Sequence, residues 1–185
     1  MEGTELIGRL EQAVPGGEFE IAASIDLQTT VYVPAERVTE ICRALRDAPD
    51  LRFDFLAELT AFDFWPREPR FELMYLLVSI EHRLRLRMKV RLAGPDAHVA
   101  TVSGIWPAAN WLEREVWDMF GVAFDGHPDP RRLLMPEDWE GFPLRKDFPV
   151  QIRRPAYASE ALQVTEQEFR DNIQRDRLSR PGHEG

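Results

Sequence analysis

One cysteine, Cys42, is the whole thiol complement of this 185-residue chain. A lone thiol forms no internal disulfide and cannot by itself supply the ligands of an iron–sulfur cluster or a structural zinc site, and it fits a reducing, cytoplasmic setting. Long apolar runs are missing too. The longest, Leu73 to Ile80 with Ser79 inside it, is far below the roughly 20 residues that a helix needs to cross a bilayer. Basic charge is in deficit, with 23 Lys and Arg against 32 Asp and Glu and a formal charge of -9, which argues against nucleic acid as the main partner. No Gly-rich phosphate loop occurs: "PGGE" and "SGIWP" match neither the dinucleotide fingerprint nor the nucleotide-triphosphate loop. Solenoid-length repeats and low-complexity tracts are absent. The opening "MEGTELIGRLEQAV" has neither a basic start with an apolar secretory core nor an Arg-rich, acid-poor bias, so the chain is expected to stay where it is made.

What remains is a chain long enough for one core and an arm. Leu6, Ile7, Leu10 and Val14 fall at helical spacing, and Pro15-Gly16-Gly17 ends that first helix. Residues 18–24 and 29–33 read as a hairpin of short strands. Val38, Ile41, Cys42 and Leu45, at i, i+3, i+4 and i+7, mark an amphipathic helix that stops near Ala48-Pro49 and places Cys42 in the core, not in a redox role. Three longer strands are expected over 52–65, 71–80 and 84–92. The last has the cleanest alternation in the chain, with Leu84, Leu86, Met88, Val90 and Leu92 on one face and Arg85, Arg87, Lys89 and Arg91 on the other. This basic stripe lacks the interleaved aromatics of an RNA platform, and acids such as Asp54, Glu58 and Glu72 are expected to neutralise it. The element order predicts a two-layer α+β domain, its mixed sheet of about five strands carrying helices on one face. The compact part is assigned to residues 1–124, and 125–185 to an extended, Pro-rich arm.

The densest chemistry lies between Leu112 and Pro149: "LEREVWDMFGVAFDGHPDPRRLLMPEDWEGFPLRKDFP". Asn110 and Glu113 resemble a capping box for a helix over 111–120, and Gly121 is placed to end it in a left-handed conformation. Arg114 and Asp118 form an i, i+4 pair on the outer side, open to a partner, and Trp111 and Trp117 lie off the apolar stripe. Beyond Gly121, prolines at 128, 130, 136, 143 and 149 break every period, yet Val122, Phe124, Leu133, Leu134, Met135, Trp139, Phe142, Leu144 and Phe148 want burial. A catalytic reading takes His127 as general base with Glu113, Glu115 or Asp118 orienting it, but the stretch has no serine or cysteine nucleophile. A metal reading lacks a histidine partner for His127. The reading that remains is a surface to be covered.

Glu113-Arg114-Glu115, Asp118-Met119-Phe120-Gly121, His127-Pro128, Arg131, Leu133 and Leu134 together resemble the signature of the 30 kDa subunit family of respiratory complex I, the C-type subunits of the bacterial NADH:quinone oxidoreductase. "EGFPLRKDFP", with Pro143, Leu144, Arg145, Lys146 and Asp147, resembles the family's next block, and Phe142 stands where a histidine is common. "IWPAANWLERE" resembles the approach, and the likeness spans about 30–149. It implies a cofactor-free α+β subunit of the peripheral arm, on the cytoplasmic side of the bacterial inner membrane. FMN, iron–sulfur clusters, NADH and a quinone would belong to other subunits of the assembly. The implied partners are the hydrogenase-like large subunit (D type) and the small iron–sulfur subunits (B and I types). The signature residues, Arg132 among them, would form the interface. Related domains in membrane-bound hydrogenases and in ferredoxin- or deazaflavin-linked relatives make an equivalent subunit there the competing reading.

Overall fold

The computed structural model describes residues 3–17, 19–94 and 96–149. Helix α1 (Gly3–Ala13) buries Leu6 and Leu10 and ends at the Pro-Gly pair, as the spacing predicts. Strands β1 (Glu20–Ala22) and β2 (Thr30–Tyr32) pair antiparallel, with Glu20 opposite Tyr32. A 3-10 turn at Ala35–Arg37 leads into α2 (Val38–Asp47), whose buried residues are the anticipated Val38, Ile41, Cys42 and Leu45. Cys42 is fully buried, which pushes its thiol far above the ordinary range and leaves it a small core hydrophobe.

The long strands are β3 (Phe55–Asp63), β4 (Phe71–Ser79) and β5 (Leu84–Leu92), close to the expected bounds. They complete a five-stranded sheet of order β1-β2-β5-β4-β3, in which only the β2–β5 pairing is parallel. The fold is therefore a mixed-sheet α+β domain, and its core lies between one sheet face and the helices. Leu59, Ala61, Leu73, Tyr75, Leu77, Leu86, Met88 and Val90 supply the sheet's side of that core.

Three of the stripe's four bases are neutralised, though by largely different acids from those expected, and Arg85 has no ion pair among the described residues. Arg87 pairs with Asp26, Lys89 with Glu72 and Arg91 with Glu20. Asp54 and Glu58 take no part: bases on β5 reach the adjacent β4 and the β1–β2 side of the sheet, whereas both of these acids sit on the β3 side, beyond β4.

Sequence reading left residues 93–109 unassigned. They contain β6 (His98–Ala100), which pairs in parallel with β7 (Ala123–Asp125), the two strands being joined through α3 (Ala109–Phe120). The "SGIWP" turn is pinned to the approach to β3 by Trp106, whose Nε1–H donates to the Phe53 carbonyl at 3.0 Å. Helix α3 packs on β3 and ends at Gly121, whose φ of 72° is the left-handed cap expected.

Two expectations are corrected. The capping box does not form: α3 starts at Ala109 without a side-chain cap, and Glu113 turns away to bond Val102 and Thr101. The domain boundary also moves, because the first compact unit continues to Phe148 instead of stopping at 124. Within residues 125–148 the N–H groups of Leu133, Leu134, Met135 and Leu144 bond α3 of the same chain, and that of Lys146 bonds β3. The rest of the anticipated arm, from 150 onward, lies outside the described residues.

Candidate functional site

Helix α3 projects three charged side chains inward: Glu113, Arg114 and Asp118 are all buried. A buried charge is tolerated only when it is paired and hydrogen-bonded, and each of these finds its partners on the polypeptide around it. Asp118 is the centre. Its Oδ2 accepts the consecutive backbone N–H groups of Leu133, Leu134 and Met135 at 3.0, 2.7 and 2.9 Å, and Oδ1 accepts Arg132 Nη1 at 2.6 Å. Burial alone would raise the carboxyl's pKa, but the Met135 N–H, the Arg132 guanidinium and the Leu134 and Leu133 N–H groups outweigh it and hold the pKa below the ordinary value.

Arg132 extends the network, its Nη2 donating to the carbonyls of Trp139 at 2.8 Å and Gly141 at 3.2 Å. Arg114 does the same for the preceding turn, donating to the carbonyls of Arg131 and Arg132 at 3.0 and 2.9 Å and approaching Asp129. The expected outer pair of Arg114 and Asp118 therefore does not exist as such. Each grips a different part of the proline-broken segment, because a chain that cannot form a regular ladder must have its backbone groups satisfied by side chains.

The second block closes over the helix end. Leu144 N–H donates to the Met119 carbonyl at 3.0 Å, and Arg145 donates to the carbonyls of Phe120 and Gly121. A cation on these unsatisfied carbonyls complements the negative end of the helix dipole. Gly121 leaves room for it: a Cβ there would lie 2.5 Å from both Arg145 Nη2 and a Phe142 ring carbon. Further along, Lys146 N–H donates to Asp63 Oδ2 at 2.8 Å. Asp147 and Asp63 share Arg70, which forks onto Asp63 at 3.0 and 2.9 Å and onto Asp147 at 2.9 and 2.8 Å.

His127 is half-buried, with both ring nitrogens occupied by backbone. Nδ1 accepts the Asp129 N–H at 3.0 Å, which leaves the ring proton on Nε2, directed at the Asn110 carbonyl at 3.1 Å. Glu113 Oε2 lies 3.7 Å from Nε2, too far for a hydrogen bond. The arrangement is that of a structural histidine and gives the general-base reading no support. The adjoining cavity, lined by Glu113, Trp117, Phe124 and His127 among others, is about 100 Å³, against the roughly 300 Å³ or more of a small-molecule site. Among the described residues no three His, Cys, Asp or Glu side chains gather closely enough to hold a metal ion.

Burial pushes the Glu113 carboxyl up to about 7, against hydrogen bonds from Thr101 and Val102 that favour the anion. The Thr101 hydroxyl donates to Glu113 Oε2 and is in hydrogen-bond contact with Ser103 Oγ, whose own proton can serve that second contact. A carboxyl with a raised folded-state pKa contributes stability that is complete below its ordinary 4.5 and is lost as pH rises towards 7. At about 1.4 kcal/mol per pH unit, that loss is on the order of 3 kcal/mol. Urea denaturation at pH 4.5 to 7.5 is expected to show this decline, and Glu113→Gln is expected to flatten it.

Of the sixteen residues selected from sequence, Glu113, Arg114 and Asp118 are buried, and Phe120, Gly121, His127, Arg132, Leu133, Pro143 and Arg145 are half-buried. Glu115, Pro128, Arg131, Leu144, Lys146 and Asp147 are exposed, although Asp147 still pairs with Arg70. The reading of Arg145 as partner-facing is corrected, since it caps α3 of its own chain. Asp63, Arg70 and Thr101 were missed; they lie up to 83 residues from the groups they hold, and no local pattern marks them. Around the network, Trp111, Leu134 and Leu144 remain more than half exposed.

Residues 31–154 match the family described as the respiratory-chain NADH dehydrogenase 30 kDa subunit. A C-type NADH-quinone oxidoreductase subunit of Rhizobium meliloti (strain 1021) is 52% identical over 64% of this chain, and the match spans 65% of that protein's length, a little under two thirds. Its counterpart in Roseiflexus sp. (strain RS-1) is 43% identical over 85% of this chain and 90% of its own length. Among solved structures, a trypsin-resistant fragment (1-134) of Nqo5 aligns with a TM-score of 0.54 at 30% identity, covering 70% of this chain and 99% of the fragment. A chain of the membrane-bound sulfane sulfur reductase, an archaeal respiratory membrane complex, aligns with a TM-score of 0.66 at 29% identity, covering 81% and 87%. The family match falls within a few residues of the stretch singled out from sequence and takes in the whole network on α3, so this chain belongs to the 30 kDa subunit family of respiratory-chain NADH dehydrogenase.

Proposed function

We propose that the chain is a structural and assembly subunit of the peripheral arm of a proton-translocating NADH:quinone oxidoreductase. In this reading it binds no cofactor of its own. It packs against the large subunit beside the quinone site and against the small iron–sulfur subunits, at the cytoplasmic face of the bacterial inner membrane. Residues 150–185 extend the contact to those neighbours. No helix among the described residues is long and apolar enough to cross a membrane.

The observation that carries the proposal is the use of the signature's charges. Glu113, Arg114, Asp118, Arg132 and Arg145 all hold the chain's own backbone in a non-repetitive shape. Trp111, Leu134 and Leu144 stand out from that shape. A rigid backbone presenting separate large apolar side chains is suited to docking on a partner, because little ordering entropy remains to be lost on binding.

The test is purification of the native assembly through a tag on this chain, followed by identification of the companions. Recovery with NADH-binding flavoprotein, iron–sulfur and large subunits is expected. The fold similarity to the archaeal sulfane sulfur reductase favours a second reading, a subunit of a related membrane complex with another electron donor. Companions of that kind, without the flavoprotein, would select it. Activity of the isolated chain that disappears in a His127→Ala variant would overturn the structural role.

A further inference from the structure

The helices lie on one face of the sheet, and the opposite face carries a second surface that the signature residues do not touch. Strand register lays it out in rows across β3, β4 and β5: Phe62, Glu72 and Arg91; Thr60, Met74 and Lys89; Glu58, Leu76 and Arg87; Phe55, Val78 and Arg85. Met74, Leu76 and Val78 form a half-buried apolar line down β4. Beside them Phe55 and Phe62 are 49% and 41% exposed, and Phe64, in ring contact with Phe62, is 37% exposed. The face is two strands wide, about 10 Å, and about 20 Å long, apolar on β4 from Met74 to Val78 and at both ends on β3, where Thr60 and the exposed Glu58 lie between the two phenylalanines. Those are the dimensions of one α-helix of about four turns laid along it.

The charges bordering the stripe are prepared for covering. Arg87 lies 2.6 Å from Asp26, Lys89 2.7 Å from Glu72 and Arg91 2.7 Å from Glu20, so three of the four bases on β5 are already neutralised within the sheet. Ions paired in this way can be buried beneath an apolar partner without stranding a charge. On β3 the exposed Glu58 has no ion pair among the described residues, and on β5 Arg85 is the exception. It sits opposite Val78 at the end of the stripe, exposed, with no hydrogen bond or ion pair among the described residues. Any partner that covers this face must bring a carboxylate to that end and a basic or hydrogen-bonding group to Glu58, opposite Leu76. A second copy of the chain is a poor occupant, since each copy carries a net charge of -9 and the two repel.

We propose that this face seats an amphipathic helix of a neighbouring subunit, its apolar side on Met74, Leu76, Val78, Phe55 and Phe62 and an aspartate or glutamate of its own over Arg85. The proposal rests on the subunit role above but names a surface distinct from the α3 network. To test it, the tagged full-length chain carries the photoreactive residue p-benzoylphenylalanine in place of Leu76, the assembly is irradiated in native membranes, and the cross-linked peptide is identified by mass spectrometry. A peptide of another subunit, with helical apolar spacing and an acid near one end, is the expected product. Independently, Arg85→Glu is expected to reduce recovery of the complex about tenfold while the melt of the single chain is unchanged. Cross-linking to residues 150–185 of the same chain, to a second copy, or to no protein overturns the proposal even where the unmodified chain recovers the whole complex. Failure of the unmodified chain to recover any oxidoreductase subunit overturns the subunit role together with it.

Discussion

Replacing Asp118 by alanine is expected to lower the unfolding free energy of the chain by about 3 to 5 kcal/mol, the usual cost of removing one partner from a buried charged pair. The loss comes from both oxygens: three consecutive N–H groups, those of residues 133 to 135, lose their acceptor, and the Arg132 guanidinium loses its counter-ion. Asparagine does not rescue the site. It offers one acceptor oxygen where two are needed, and its NH2 group must face either the three N–H groups or the guanidinium. Because the folded-state pKa of Asp118 is depressed, its contribution is present above the ordinary value of 3.8 and is lost as pH falls through the folded-state value. The gap between wild type and Asp118→Asn in urea denaturation is therefore expected to narrow on acidification. Glu115→Ala, on the exposed side of the same helix, serves as the control and is expected to stay within about 0.5 kcal/mol of wild type. An Asp118 variant as stable as that control would show that the backbone of 133–135 needs no carboxylate.

The second large effect is expected at Arg70, which joins β4's approach to the last described turn. Arg70→Leu leaves Asp63, 2% exposed in its side chain, without its guanidinium, at a cost of about 3 to 5 kcal/mol. Lysine is expected to restore little of this, since a single ammonium cannot fork onto two carboxylates. Burial acts to raise the Asp63 carboxyl, yet Arg70 and the Lys146 and Trp65 N–H groups together hold it down to about 2. Its contribution is thus present above 3.8 and lost as pH falls towards 2. The deficit of the variant is expected to be largest at neutral pH and to shrink across that window. A local readout separates this effect from general loosening. Asp63 holds the Lys146 N–H and Arg70 holds Asp147, so tryptic cleavage after Lys146 is expected to quicken in Arg70→Leu more than cleavage after Arg9 on α1. Equal acceleration at both sites would show that Arg70 supports the whole fold and not the closing turn.

The sequence by itself determined every element whose residues repeat a period. Leu84 to Leu92 could only be a two-faced strand, Val38 to Leu45 only a helix with Cys42 inward, and Gly121 marked a helix end because its missing Cβ suits a left-handed turn. The family motifs were legible in the same way, as residue types at fixed spacing. Their roles were not. Arg114 and Asp118, four apart on one helix, read as an exposed pair because helical spacing says which residues share a face but not what lies against that face. Here the facing material is residues 131–135 of the same chain, which carry no period of their own. The capping box failed for a related reason: the tertiary fold brought the Val102 N–H within 2.7 Å of Glu113, a partner that no local rule could supply. The pairing of Asp63 and Arg70 with Lys146 and Asp147, across 77 and 83 residues, was likewise decided only when the chain closed on itself. Periodicity is fixed by backbone geometry within a few residues, whereas the fate of a charge depends on what burial brings beside it, and that is a property of the folded chain alone.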